Sequence, residues 1–406
     1  MAMNTIAQIA PQPTRGLAGA TVLQIVPVLV ESQAARAAVD VAIALLRSGA
    51  RVIVAGEEGP LNSELQGLGG EWLRLVNETG NPFKLKRNAN AIAEVVAAER
   101  IDLVHALGVG ASRSATAALK KRSGVKLIHS YAAEDLGLDH RDKAYGRALL
   151  AGDRVIVPSG YVADRVAMLH KIPDGKLVVI PVRIDAGRFD PPMVSPERAV
   201  VLRRGWKIAR GQRVILVPGR IDPANGQLTL VETARILVNG GLRGVVFVLA
   251  GDNRQHFDYA RRIATQAEAY GVAALIRQIG VCSDMAGAYT AADFVAVPQI
   301  EPPTFALTAA EAMAMARPVI ASNIGALPEI VLAPPQIGES ARTGWLAEPD
   351  DPISFAKACA AALAIDHAAY GMMAARARRL ATHLFTPTRV ASATLGLYAG
   401  LLDTAG

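Results

Sequence analysis

Cysteine is almost missing: Cys282 and Cys359 are the only two in 406 residues. Two thiols cannot build a disulfide scaffold or a four-cysteine zinc site, and such sparse use fits a reducing compartment. The seven histidines are scattered without ligand spacing, so no metal site is expected. No apolar run reaches the ~18 residues of a membrane-spanning helix. The longest candidate, TVLQIVPVLV at residues 21–30, has the length of a strand and is interrupted by Pro27. Residues 1–20 have neither an early Lys/Arg cluster nor a continuous apolar stretch, so a frayed tail is expected there rather than a secretory signal. Charged residues make up 19% against 51% hydrophobic, which excludes a disordered chain. The 43 Lys and Arg against 36 Asp and Glu leave a net charge of +7, spread thinly. That balance suits an anionic ligand or surface but lacks the dense stripe of a nucleic-acid binder.

What is present is alternation. From residue 21, apolar β-branched runs alternate with helix-length segments: VLQIVPVLV, RVIVAG (51–56), IDLVHAL (101–107), VKLIHS (125–130), RVIVPS (154–159) and KLVVIPV (176–182). These runs are apolar on both faces, as strands of a buried parallel sheet are. A Pro-, Arg- and Gly-rich stretch at 183–212 reads as a connector. Alternation then restarts with RVILVPGR (213–220), GVVFVLAG (244–251), ALIRQIG (274–280), DFVAVP (293–298) and PVIAS (318–322). The fold class is therefore α/β, with two doubly wound, Rossmann-like domains. The expected division is a tail at 1–20, domains at 21–195 and 196–385, and a helix at 386–406 docking back on the first domain.

Two stretches carry chemistry. In EPPTFALTAAEAMAMARPVIASNIGALPEIV (301–331), a strand ends at Pro298 and a Pro/Thr-rich loop leads into a helix with Glu311 in its first turns. Free amides at a helix N-terminus bind phosphate oxygens, and a carboxylate one turn inside takes sugar hydroxyls. An ordinary capped helix with a solvated glutamate is the competing reading. In VPGRIDPANGQLTL (217–230), a strand runs into Gly219 and Arg220 and a turn with Asn225 precedes the next helix. Glycine allows close backbone approach, and arginine presents a fork of donors that matches a diphosphate. A strand-end arginine with no ligand is the alternative there.

Together these stretches resemble family-4 glycosyltransferases of the GT-B type, most closely the bacterial members that build lipopolysaccharide and other envelope glycans. Further matching pieces are RNANAIAEVVAAERIDLVHA (87–106), GDRVIVPSGYVADRV (152–166), IPVRIDAGRFDP (180–191), GVCSDMAGAYTAADFVAVP (280–298) and RTGWLAEPDDP (342–352). The resemblance implies two domains facing across a cleft, a nucleotide-diphosphate sugar held by the second, and a glycan or lipid-linked acceptor held by the first. It implies retaining transfer with no metal or other cofactor, in the cytoplasm, with room for peripheral contact at the inner face of the membrane. The basic residues Lys84, Lys86 and Arg87, which open a helix, are the candidates for that contact, although a solvated helix start is the plainer reading. By matching positions, Gly219 and Arg220 resemble the diphosphate-binding turn. Phe305, Ala306 and Leu307 resemble the phosphate-facing loop, and Glu311 resembles the ribose-binding second glutamate of Glu-x7-Glu.

The sequence also departs from that family. The lysine expected five positions after the diphosphate arginine is Asn225, and no lysine lies between Lys207 and Lys357. The first glutamate of the motif is replaced by Pro303, with Glu301 as the local substitute. The motif glycine is Ala306, the glycine pair after the first strand falls at Ser32–Gln33, and another glycine position holds Arg183. The catalytic-site histidine aligns with Tyr131, and His129 lies two residues earlier. Two readings stay open: an active transferase using Arg220, Glu311, Glu301 and His129 or Tyr131, or a catalytically silent GT-B protein that binds a glycan, nucleotide or protein partner.

Overall fold

The structure, a computed structural model, describes residues 14–76, 81–120, 122, 124–131 and 143–403. The chain forms two compact units, one ending at Arg183 and resuming at Pro387, the other running from Ile184 to Thr386.

The first unit holds a seven-stranded sheet: β1 (Thr21–Val28), β2 (Arg51–Glu57), β3 (Glu71–Arg74), β4 (Leu103–Leu107), β5 (Lys126–Ser130), β6 (Arg154–Val157) and β7 (Leu177–Val179). Their order is β3-β2-β1-β4-β5-β6-β7, and every paired strand is parallel. The second unit holds β8 (Arg213–Pro218), β9 (Val245–Ala250), β10 (Ile276–Gly280), β11 (Phe294–Val297), β12 (Val319–Ser322) and β13 (Gly344–Ala347). Their order is β10-β9-β8-β11-β12-β13, again all parallel. The central strands are buried over most of their length, β4 and β9 throughout, because helices cover both faces of each sheet. Both units are thus the doubly wound sheets that the alternation predicts.

The sequence reading misses β3 and β13. Both are four-residue edge strands, EWLR and GWLA, and neither has the continuous apolar run of a central strand. Two boundaries also differ, and the connector is not structureless. Residues 14–20 are not frayed: Thr14–Leu17 forms a 3-10 turn and Leu17 is fully buried. Residues 1–13 lie outside the described residues. Residues 184–195 belong with the second unit, because Ile184, Phe189 and Val194 are buried in its core and the Ile184 N–H donates to the Phe385 carbonyl at 2.7 Å. The expected connector contains a helix, Pro196–Gly205, with proline in its first turn and Arg203 and Arg204 in its last, which suits the helix dipole.

The last helix, Pro387–Asp403, buries Val390, Ala391, Leu395, Tyr398 and Leu401 in the first unit's core, against the helix Gln33–Arg47. No single described helix is long and apolar enough to cross a membrane.

Candidate functional site

In the second unit the winding reverses between β8 and β11, which are neighbours in space but not in sequence. At such a reversal the two loops leaving the strand carboxyl ends splay apart and leave a crevice, the usual ligand position of open α/β sheets. Backbone bonds tie these loops together: the Ile300 N–H donates to the Ala224 carbonyl at 2.8 Å, and the Glu301 N–H reaches the same oxygen at 3.3 Å. Close packing requires glycine at Gly226 (φ +67°), where a β-carbon would stand 1.9 Å from the Pro298 carbonyl oxygen.

Arg220 follows β8 in this loop. Its side chain is exposed and, among the described residues, enters no ion pair. Gly219 before it sits at φ +132°, close against Gly251, so the turn that presents Arg220 is pinned from below. Asn225 stabilises the same turn: its Nδ2 donates to the Arg220 carbonyl at 2.9 Å, Gln227 Nε2 donates to that oxygen at 2.8 Å, and Gln299 Nε2 donates to Asn225 Oδ1 at 3.3 Å. The position where the family carries a lysine is therefore a turn brace, with its amide committed on both sides.

The loop after β11 leads into the helix Leu307–Ala314, whose N-cap Ala306 offers no side-chain acceptor. The Ala306 carbonyl accepts from the N–H groups of Ala309 and Ala310, leaving the Leu307 and Thr308 amides without a backbone partner among the described residues. Ala306 itself is buried, and the Phe305 ring packs edge-on against Phe385 at 5.5 Å, so Phe305 anchors the loop to the core. Pro303 lies against Gly325, and its carbonyl accepts from the Ala326 N–H at 3.0 Å. Glu301 is exposed on the loop.

Glu311 is the one strongly perturbed carboxyl of this loop and helix. Burial pushes its pKa up to about 7, and the Tyr289 hydroxyl and the Arg188 charge pull against that rise. The hydroxyl of the fully buried Tyr289 donates to Glu311 Oε2 at 3.0 Å. Tyr289 is held by the Phe189 ring, edge-on at 5.8 Å, and the Arg188 guanidinium lies 5.3 Å from the centre of that ring. Sequence reasoning missed Tyr289 and Arg188 as site residues. Both sit inside the stretches GVCSDMAGAYTAADFVAVP and IPVRIDAGRFDP, but nothing in one sequence says that those stretches meet at Glu311.

In the first unit, His129 on β5 is fully buried, with the ring so close beneath Gly152 that a β-carbon there would fall 2.5 Å from its Cδ2. Desolvation drives its pKa down to about 3, so it is neutral at ordinary pH. It is a core imidazole with no opening to a ligand, which removes it as an acid–base candidate. Tyr131 is buried too, stacked on Tyr145 at 5.7 Å with His170 at 6.1 Å. The sequence reading also overlooked His105. Its Nδ1 lies 2.6 Å from the Tyr398 hydroxyl and its Nε2 lies 2.9 Å from Ser130 Oγ, which ties the last helix to β4 and β5. Two departures from the family pattern have structural uses in this unit. Ser32 caps the helix Gln33–Arg47 by accepting from the Ala35 N–H at 3.2 Å, and Arg183 pairs with Asp40 at 2.8 Å.

Comparison with known proteins fits this geometry. Residues 34–188 match the family described as Glycosyltransferase Family 4, and residues 212–364 match Glycosyl transferases group 1. D-inositol 3-phosphate glycosyltransferase of Actinosynnema mirum is 30% identical over 230 residues, covering 52% of this chain and 54% of the relative. The chain thus spans about half the length of the curated relatives it matches. Among solved structures, a glycosyltransferase from Rickettsia africae superposes with a TM-score of 0.78 at 24% identity, over 95% of this chain and 99% of that one. The Anabaena protein HepE, in complex with UDP and glucose, superposes at 0.71 with 18% identity, over 95% and 100%. At these identities the superpositions establish the fold, two Rossmann-like units of the GT-B kind. Each unit thus carries one glycosyltransferase family match, Family 4 in the first and group 1 in the second, on a fold of the GT-B kind.

Proposed function

We propose that this protein transfers a sugar from a nucleotide-diphosphate donor to a glycan or lipid-linked acceptor of the bacterial envelope, with retention at the transferred carbon and without a metal. The observation that carries the reading is the exposed Arg220 side chain at the β8 carboxyl end, which enters no ion pair among the described residues and whose backbone carbonyl is braced by the Asn225 and Gln227 amides. Its fixed fork suits a diphosphate, and its charge stabilises that group as it leaves. The open amides of the helix Leu307–Ala314 supply further donors, and Glu311 supplies an acceptor for ribose hydroxyls. Overall, the bond from the sugar's anomeric carbon to the diphosphate oxygen breaks, a bond to an acceptor oxygen forms, and the acceptor's proton is lost. HepE, a neighbour in fold, is in complex with UDP and glucose, which makes a uridine nucleotide the first to try. The curated relatives' names add a phosphorylated inositol to the acceptors worth assaying.

A second reading, a GT-B protein that binds a nucleotide, glycan or protein without catalysis, is favoured by one observation. Asn225 stands where a lysine would neutralise the leaving diphosphate, and its amide is spent on the turn. Loss of one preorganised charge of this kind costs about 10²–10³ in rate. Assay of purified protein with UDP-sugars and candidate acceptors separates the two: sugar transfer that disappears in Arg220→Ala supports the enzyme, and nucleotide binding with no transfer supports the silent form. Action in the cytoplasm, in contact with the inner face of the membrane, belongs to the first reading.

A further inference from the structure

Among the buried polar contacts of the second unit, one joins a tyrosine to a carboxylate across two separate elements. Tyr289 lies in the helix Met285–Ala291, and Glu311 lies in the helix Leu307–Ala314. A fully buried tyrosine hydroxyl needs a partner, and this one has Glu311 Oε2 at 3.0 Å and the Thr308 carbonyl at 3.4 Å. The ring cannot swing, because Phe189 packs edge-on against it. On the solvent side, Arg188 is exposed, its Nη2 donates to the Ser283 carbonyl at 3.1 Å, and its charge favours the ionised form of Glu311. The titratable groups facing Glu311 are therefore Tyr289, Arg188 and Asp185, the last opposing ionisation.

We propose that Tyr289 and Arg188 are positioning residues for Glu311: the hydroxyl fixes Oε2 and leaves Oε1 to accept the hydroxyls of a bound ribose, while the guanidinium, seated over the Phe189 ring that packs on Tyr289, braces that stack and favours the charged carboxylate. This rests on the reading of Glu311 as the ribose acceptor. A carboxylate has acceptor sites to spare for one tyrosine and one diol, so the tyrosine need not be displaced. Burial works the other way, pushing the Glu311 pKa up to about 7, so nucleotide affinity should rise with pH through that region.

The test is a calorimetric titration of the full chain with UDP, and with ADP and GDP in parallel, from pH 5.5 to 8.5. Wild type is compared with Tyr289→Phe, Arg188→Gln and Glu311→Ala. The expected result is a wild-type affinity that climbs through about pH 7. Both Tyr289→Phe and Arg188→Gln should move that midpoint upward by about half a unit to one unit, and Tyr289→Phe should also lower the alkaline plateau about fivefold, as loss of one hydrogen bond does. A tyrosine that only fills the core would change the melting temperature and leave the midpoint in place. If Glu311→Ala abolishes binding while the midpoint stays put in both other variants, the proposal is overturned and the ribose reading stands. If Glu311→Ala binds as well as wild type, or no nucleotide binds, the ribose reading fails and the proposal falls with it. Should Tyr289→Phe not fold, the surface variant Arg188→Gln decides, because an unmoved midpoint there overturns the proposal.

Discussion

The Tyr289 hydroxyl lies 3.0 Å from Glu311 Oε2, so the carboxylate that the helix after β11 carries is held from behind by the helix after β10. That contact makes Glu311 an ordered, partly dehydrated group rather than a solvated glutamate on a helix face. Its titration should be visible in the stability of the second unit.

The sign follows from the raised pKa. Between the ordinary glutamate value of 4.5 and about 7, the folded state holds a proton that the unfolded chain has released. The contribution is complete below 4.5 and is lost as pH climbs through 7. Glu311→Gln keeps an acceptor for Tyr289 and removes the charge. Thermal melts at pH 5 and pH 8 should show a smaller alkaline loss in the variant, a difference of about 1–3 kcal/mol. Equal losses in both proteins would show that Glu311 is not buried as described.

Acid should act on the first unit through the opposite shift. His105 and His129 are both buried, with pKa values pushed down to about 3 by desolvation, so each must be protonated against its surroundings on acidification. Stability from these two is full above 6.5 and is lost as pH falls towards 3. His129→Leu removes one such group, and the midpoint of acid unfolding, followed by circular dichroism, should move about half a unit lower. A midpoint that does not move would mean that His129 is accessible in the folded state.

Asn225→Lys makes the family's charge available and breaks the bonds to Arg220 and Gln299. The turn should loosen by about 1 kcal/mol while the added charge strengthens binding of a nucleoside diphosphate. Combined with Pro303→Glu, the variant should raise UDP affinity by about tenfold if the natural site is weak. Unchanged affinity in the folded double variant would show that these two positions do not face the ligand.

At the start of the helix Pro82–Ala98, Phe83 is 85% exposed beside Lys84, Lys86 and Arg87. An apolar ring with cations around it suits an anionic bilayer surface, where each basic residue contributes about 1 kcal/mol. Phe83→Ser together with Lys86→Ser should release the protein from phosphatidylglycerol vesicles in a flotation assay and leave its melting temperature unchanged. Equal flotation of variant and wild type would assign this helix start to ordinary solvation.

Much of the fold was legible because buried parallel strands leave continuous apolar runs: β1, β4, β8 and β9 announce themselves, whereas the edge strands β3 and β13 do not. Of the site, Arg220 and Glu311 stood out because a strand-end glycine–arginine turn and a helix entry are local patterns. Tyr289 and Arg188 were hidden because their meaning lies in contacts between separate segments, Tyr289 meeting Glu311 from the preceding helix and Arg188 arriving from a loop about a hundred residues earlier. His129 misled for the same reason. A histidine at the end of an apolar run looks reactive in sequence, and only the packing of Gly152 against its ring shows it to be core.

The most direct measurement is a calorimetric titration of wild type and Arg220→Ala with UDP and UDP-sugars, alongside thermal melts of the ligand-free proteins. The account predicts micromolar binding by wild type and a loss of about 10–100-fold in Arg220→Ala, the range expected for charge-assisted hydrogen bonds to a diphosphate, with equal melting temperatures. A variant that binds as tightly as wild type, or a wild type that binds no nucleotide, would contradict the assignment of the β8–β11 crevice as the donor site.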